Sequence, residues 1–116
     1  MLERFRVPIE DQVRVSEAAL RRTVAAVFEK MGETPEDAAL GADVLVSTDL
    51  RGVETHGVSN MLRNYVQLYG EGKYKAGAEW KIIREAPAVA TVDAKMGLVT
   101  ILGPKFMKIA MKKASK

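Results

Sequence analysis

The 116-residue chain contains no cysteine and only one histidine. Disulfide frameworks, thiolate metal sites and cysteine nucleophiles are therefore excluded. A metal centre built on several histidines is excluded as well, and we expect no bound metal. No apolar run approaches the roughly 18 residues that a membrane-spanning helix needs, and the first residues lack the apolar block of a secretory signal. We therefore expect a cytoplasmic protein without membrane contact.

Positive charge is in modest excess, with 18 basic and 15 acidic residues and a net charge of +3. Five lysines lie between Lys105 and Lys116, and the rest of the chain is close to neutral. A basic helix face at a chain end is usually solvated, and the RNA-binding strand motif and zinc-finger spacing are missing. We therefore predict that the lysines at 105, 108, 112 and 113 form a solvated face. A nucleic-acid partner is the less favoured hypothesis, and it would require binding that weakens steeply with salt.

The first half of the chain predicts two helices joined by a short link. Ser16 is a good N-cap for a helix over Glu17–Met31, and Gly32 suits the left-handed position that ends it. Thr34 and a following proline start a second helix over Pro35–Thr48. A link of three residues favours an antiparallel pair. Small residues along the second helix predict a close approach to its neighbour.

The second half changes from helical to strand periodicity and back. The predicted elements are a third helix over Val58–Tyr69, short strands over Trp80–Arg84 and Ala88–Val92, and a last helix over Val99–Lys113. Pro104 either starts the regular part of the last helix or kinks it. Ahead of the first helix, Val13 and Val15 are expected to end a short strand. The expected fold class is α+β, as one small domain with helices over 1–72 and strands plus a helix over 78–116.

The segment Asp49–Val58, with the sequence DLRGVETHGV, is the one that could carry chemistry. His56 is a side chain whose unperturbed pKa lies in the physiological range, and Thr55 places a hydroxyl beside the ring. Gly57 permits a close backbone approach, and the helix that begins here would present free amides to an anion. Arg51 could clamp a carboxylate. A proton-transfer group, a hydroxyl and a carboxylate clamp are what the interconversion of 2-hydroxy and 2-oxo acids requires.

Each of these residues also has a purely structural interpretation. A lone histidine is more often structural than catalytic. Asp49 and Glu54, which flank the motif, are expected to serve as ion-pair or capping partners. Spacing alone therefore leaves both interpretations of the segment open.

The decapeptide closely resembles the N-terminal signature of the malate/L-lactate dehydrogenase family that lacks a Rossmann fold, which includes sulfolactate, ureidoglycolate and diketogulonate oxidoreductases. The resemblance extends over the two preceding helices, the region 65–72, the stretch 87–93 and the Gly97-Leu98 start of the last helix. It implies a homodimeric NAD- or NADP-dependent oxidoreductase of small 2-hydroxy or related oxo and imino acids. It makes His56 the acid–base catalyst and Thr55 a residue that binds substrate or orients the ring. Arg51 would contact substrate or support the structure.

The chain departs from the family pattern at several positions. Members commonly have serine at the position of Thr55, and many carry arginine where this chain has Asn60, with Arg63 one turn further on. Tyr65 is displaced by one position from a tyrosine often found in this helix, and Pro104 lies in a helix that is normally free of proline. The roles of Asn60, Arg63 and Tyr65 therefore do not follow from the resemblance.

The largest departure is length, because family enzymes are considerably longer and only their N-terminal part is matched. We therefore expect a fragment or truncated product that does not perform hydride transfer by itself. The residues that choose the acid and choose between NAD and NADP would lie elsewhere. The alternative is a non-catalytic oligomerisation or binding module, in which a partner covers the apolar stripes of the first two helices.

Overall fold

The computed structural model describes residues 8–115, and this part of the chain has the expected α+β fold. Its elements are α1 (Glu17–Lys30), α2 (Pro35–Leu50), α3 (Val58–Gly70), β1 (Lys81–Ala86), β2 (Val89–Asp93) and α4 (Val99–Ala114). Short 3-10 turns cover Ile9–Asp11 and Glu54–His56. The strand expected to end at Val13 or Val15 is not formed over residues 8–16, which have no sheet partner; its earlier part lies outside the described residues.

Helices α1 and α2 form the predicted antiparallel pair. The hydroxyls of Ser16 and Thr34 accept hydrogen bonds from amides three residues on, which confirms both caps. Arg21, near the start of α1, donates to Ser47 near the end of α2, so the two helices run in opposite directions. Gly32 ends α1 with a φ of +100°, a conformation that glycine adopts without steric cost.

The core lies where α2 contacts both α1 and α4. A Cβ added at Gly41 would lie 3.0 Å from a ring carbon of Phe28 and 3.1 Å from Cγ1 of Ile101, which shows how closely the helices approach. The buried apolar residues include Val24, Phe28, Ala38, Ala42, Leu45, Val46, Leu98 and Ile101. The apolar stripes of α1 and α2 are therefore covered within the chain. The reason for expecting a partner at these two helices does not hold.

Strands β1 and β2 form an antiparallel hairpin around the two-residue turn Pro87-Ala88. Strand β1 ends two residues later than predicted, and β2 starts one residue later. The reason is that the turn begins at Pro87 and not at Glu85. The pairing is irregular between Ile82 and Arg84, where one extra residue enters β1. The hairpin is tied to α4 by the Lys113 ammonium, which donates to the carbonyl of Ala86.

Helix α4 decides one question that the sequence left open and corrects one prediction. It begins at Val99, so Pro104 lies inside it and does not start it. Two of the four lysines expected to be solvated form ion pairs instead, Lys105 with Asp37 at 2.5 Å and Lys113 with Glu85 at 2.8 Å. No helix within residues 8–115 combines the length and the apolar character needed to cross a membrane.

A buried carboxylate joins three parts of the fold. Glu33, in the link between α1 and α2, is only 7% exposed. Its Oε1 accepts a hydrogen bond from the Tyr69 hydroxyl at 2.5 Å, and its Oε2 accepts from the Gly77 amide at 3.2 Å. Burial and the bond to Glu33 raise the pKa of Tyr69 well above its usual range. Glu33 thereby anchors both α3 and the glycine-containing segment that follows it.

Candidate functional site

The motif Asp49–Val58 folds back on the end of α2 as a series of tight turns. The amide of Gly52 donates to the carbonyl of Asp49, and that of Val53 donates to the carbonyl of Thr48. The His56 amide then donates to the Val53 carbonyl at 3.0 Å and closes the 3-10 turn. Backbone hydrogen bonds therefore hold the segment both before and after the 3-10 turn.

His56 is exposed at the end of this turn, and Thr55 beside it is half-buried. The Thr55 hydroxyl lies 2.9 Å from Nδ1 of the imidazole, within hydrogen-bonding distance. Nε2 has no hydrogen-bond partner among residues 8–115. The ring thus has one nitrogen engaged by its neighbour and the other open to an incoming molecule. Because a hydroxyl can both donate and accept, this contact is compatible with either tautomer of the neutral ring.

Asp49 closes the N-terminus of α3, which corrects the expectation of an anion site there. Its Oδ2 accepts a hydrogen bond from the Val58 amide, the first of the helix, at 2.9 Å. Its carboxylate also lies against Gly57, where an added Cβ would overlap it. The protein itself supplies the negative charge that this helix end attracts. The capping role expected for Asp49 is confirmed.

The remaining candidates divide between exposed and structural positions. Arg51 is exposed at the C-terminus of α2, and its guanidinium makes no hydrogen bond or ion pair within the described part of the chain. The structure therefore leaves Arg51 available but does not link it to His56. Asn60 donates to the carbonyl of Glu54 at 2.9 Å and steadies the 3-10 turn. Arg63 is exposed one turn further along α3.

Tyr65 is turned away from the motif. It is 9% exposed, and its hydroxyl lies 2.9 Å from Oγ1 of Thr100 in α4. Its ring also packs edge-on against Tyr74, with centroids 6.2 Å apart. In this chain Tyr65 therefore holds α3 against α4.

A groove beside the motif was not anticipated from the sequence. It has a volume of about 550 Å³, and the extended segment before α1 forms one of its walls. The opposite wall is formed by Asp49, Glu54, Val58 and Ser59. Arg14 contributes a cation to the first wall. No local pattern predicts this groove, because residues 11–15 line it together with residues that are distant in sequence.

The fold and the motif together describe an α+β unit that presents one imidazole on a hydrogen-bonded turn. Residues 15–116 match the family model of malate/L-lactate dehydrogenase. The chain therefore belongs to the malate/L-lactate dehydrogenase family. The match is to the N-terminal portion of the family's enzymes.

Named relatives and solved structures agree with this assignment. The chain is 40% identical over 105 residues to malate dehydrogenase from Pyrococcus horikoshii, covering 90% of this chain and 29% of that protein. It is 35% identical over 94 residues to L-sulfolactate dehydrogenase from Methanocaldococcus jannaschii, covering 81% and 27%. The solved structure of the Pyrococcus horikoshii enzyme superimposes with a TM-score of 0.84 at 40% identity, covering 89% of this chain and 29% of that one. The chain thus spans less than a third of the length of these relatives.

Proposed function

We propose that this chain forms the part of a nicotinamide-dependent oxidoreductase that carries its acid–base histidine. The observation that carries the proposal is the exposed imidazole of His56, whose Nδ1 meets Thr55 while Nε2 stays open. Named relatives of the chain are dehydrogenases of malate, sulfolactate and hydroxycarboxylates. The shared feature of these names supports a small 2-hydroxy acid, or the corresponding 2-oxo acid, as the substrate class.

The proton step follows from the two nitrogens of the ring. In the oxidative direction Nε2 accepts the proton of the substrate hydroxyl, while Nδ1–H donates to the Thr55 hydroxyl. The hydride on the hydroxyl-bearing carbon would pass to the nicotinamide cofactor when that is bound. In the reductive direction the imidazolium returns that proton to the developing alkoxide. Nδ1 keeps its hydrogen bond to Thr55 in both states, so the ring need not reorient. Arg51 is proposed to bind the substrate carboxylate, since its guanidinium is exposed near the motif.

The described residues do not by themselves fit a dinucleotide. Phosphates of such a cofactor usually meet free amides at a helix N-terminus. In this structure Ser16, Thr34 and Asp49 occupy the first turns of α1, α2 and α3. Before α4, Gly97 and Leu98 are buried, while Val99, the first residue of the helix, is exposed. We propose that NAD or NADP is held mainly by parts of the enzyme outside this stretch, in a cytoplasmic homodimer.

The test is a chimera in which this chain replaces the corresponding portion of the Pyrococcus horikoshii malate dehydrogenase. The change His56→Ala is expected to lower kcat by about 10²- to 10⁴-fold, the usual contribution of a general acid–base group. Asn64→Ala, at an exposed position of α3, is the matched control and should leave kcat unchanged. Turnover that survives in His56→Ala would refute the assignment. Titration of the 116-residue chain alone with NADH or NADPH should show no tight, stoichiometric binding.

A further inference from the structure

The turn that carries His56 is held to the rest of the molecule mainly by polar contacts. The two large apolar residues that precede it, Leu50 and Val53, are 61% and 46% exposed, so apolar packing does not anchor it. Backbone hydrogen bonds from Gly52 to Asp49 and from Val53 to Thr48 tie the first part of the turn to the end of α2. The far end of the turn, which carries His56 and Gly57, needs a link of its own to a rigid element.

Asp49 supplies that link. It is the penultimate residue of α2, and the preceding part of the helix contains Leu45 and Val46, which are 1% and 2% exposed. From this fixed position its Oδ2 accepts from the Val58 amide, just beyond the turn. The side chain therefore spans from the end of one helix to the start of the next and encloses the motif between them.

Gly57 makes this link possible for a reason of space. Its φ of −89° and ψ of −165° are extended values open to any residue, so the backbone conformation does not require glycine. A Cβ at this position would instead occupy the place of the Asp49 carboxylate. The residue after the histidine is thus small because the aspartate lies against it.

We propose that Asp49 is a positioning residue for His56. It holds the 3-10 turn so that Nδ1 stays on the Thr55 hydroxyl and Nε2 faces outward. The inference rests on the proposed function, because the position of the ring matters for catalysis only if His56 transfers the proton. It gives the motif aspartate a role beyond capping α3.

The experiment uses the single histidine of the chain, whose ring signals in a nitrogen-15 labelled sample are unambiguous. Long-range proton–nitrogen NMR reports the tautomer and the hydrogen bonding of Nδ1 without substrate. The variants are Asp49→Ala and Asp49→Asn, which retains an oxygen acceptor for the Val58 amide. Thr55→Val serves as the reference for a ring that has lost its partner. Thr34→Ala is the matched control, since it removes a cap of the same kind from α2.

We expect Asp49→Ala to move the ring-nitrogen signals toward those of Thr55→Val and to speed Val58 amide exchange about fivefold, a typical effect of losing an N-cap. Asp49→Asn should restore the wild-type ring signals. Thr34→Ala should destabilise the chain comparably but leave the ring unchanged. Unchanged ring signals in Asp49→Ala, or an equal change in Thr34→Ala, would overturn the proposal.

Two further points keep the test decisive. If Asp49→Ala does not fold, Gly57→Ala tests the same link, because its Cβ displaces the carboxylate without backbone strain. It should move the ring signals in the same direction, and wild-type signals in that variant would overturn the proposal. The NMR result is independent of turnover, so a chimera that stays active without His56 would refute the proposed function and leave the structural role of Asp49 standing.

Discussion

Alkaline pH should destabilise the fold through Tyr69, and the change Tyr69→Phe should remove this sensitivity. The Tyr69 hydroxyl donates to the buried carboxylate of Glu33, and burial with that bond raises the pKa of the phenol above its ordinary value of 10.0. A raised pKa means that the folded state favours the neutral phenol more than the unfolded state does. The stability that this provides is complete below pH 10 and is lost as the pH rises toward the pKa of the folded state.

The magnitude follows from the two partners. A hydrogen bond to a charged acceptor contributes about 1.5–3 kcal/mol, so Tyr69→Phe should lower the free energy of unfolding by that amount at pH 7. Above pH 10 the wild-type chain should lose up to about 1.4 kcal/mol per pH unit more than the variant, because one additional proton is released on unfolding. The two stabilities should therefore converge as the solution becomes more alkaline.

Urea unfolding from pH 7 to 11, followed by circular dichroism, measures both effects. Tyr65→Phe is the control, since it removes a hydroxyl bonded to the neutral Thr100 and should cost only about 0.5–1.5 kcal/mol. It should also keep the alkaline loss of the wild type. A Tyr69→Phe variant that tracks the wild type in parallel at every pH would refute the argument that Glu33 holds the phenol neutral.

Two substitutions test the helical core. Phe28→Ala should cost about 3–5 kcal/mol in urea unfolding, because this fully buried ring fills the contact between α1 and α2; a loss below about 1 kcal/mol would contradict the packing described. Pro104→Ala should instead raise the free energy of unfolding by about 1–3 kcal/mol, since it gives α4 back an amide hydrogen bond in the helix interior; a loss of stability would mean that packing of the proline ring outweighs that bond.

The sequence predicted those parts of the fold that depend on neighbouring residues. Each helix end marked by Ser16, Gly32 or Thr34 involves only residues within one turn. The local order of residues was therefore enough to predict these ends. The burial of Glu33 could not be predicted, because its two hydrogen-bond partners lie 36 and 44 residues away in the sequence. The left-handed conformations of Lys95 and Met96 were not predictable either. Their φ values are 50° and 66°, and neither residue is the glycine that usually marks this conformation.

The candidate site shows the same division. The half-buried Thr55 and the exposed His56 are adjacent in sequence, and the motif was sufficient to select them. The groove wall formed by residues 11–15 was missed, because this irregular segment has no periodic pattern that indicates which distant residues it lies beside. The expectation of an open anion site at α3 was wrong for a related reason, since the competing carboxylate of Asp49 lies nine residues earlier.

The polar residues in and beside the motif therefore serve two separate purposes, and their hydrogen bonds distinguish them. Asp49 accepts a hydrogen bond from the Val58 amide, and Asn60, although exposed, donates to the Glu54 carbonyl, so both hold the turn in place. His56 and Arg51 are exposed and, within residues 8–115, have a free Nε2 and a free guanidinium. Because the Asp49 carboxylate already neutralises the N-terminus of α3, a substrate carboxylate would be stabilised little by that helix end. The exposed arginine thus becomes the stronger candidate within the motif for binding the acid.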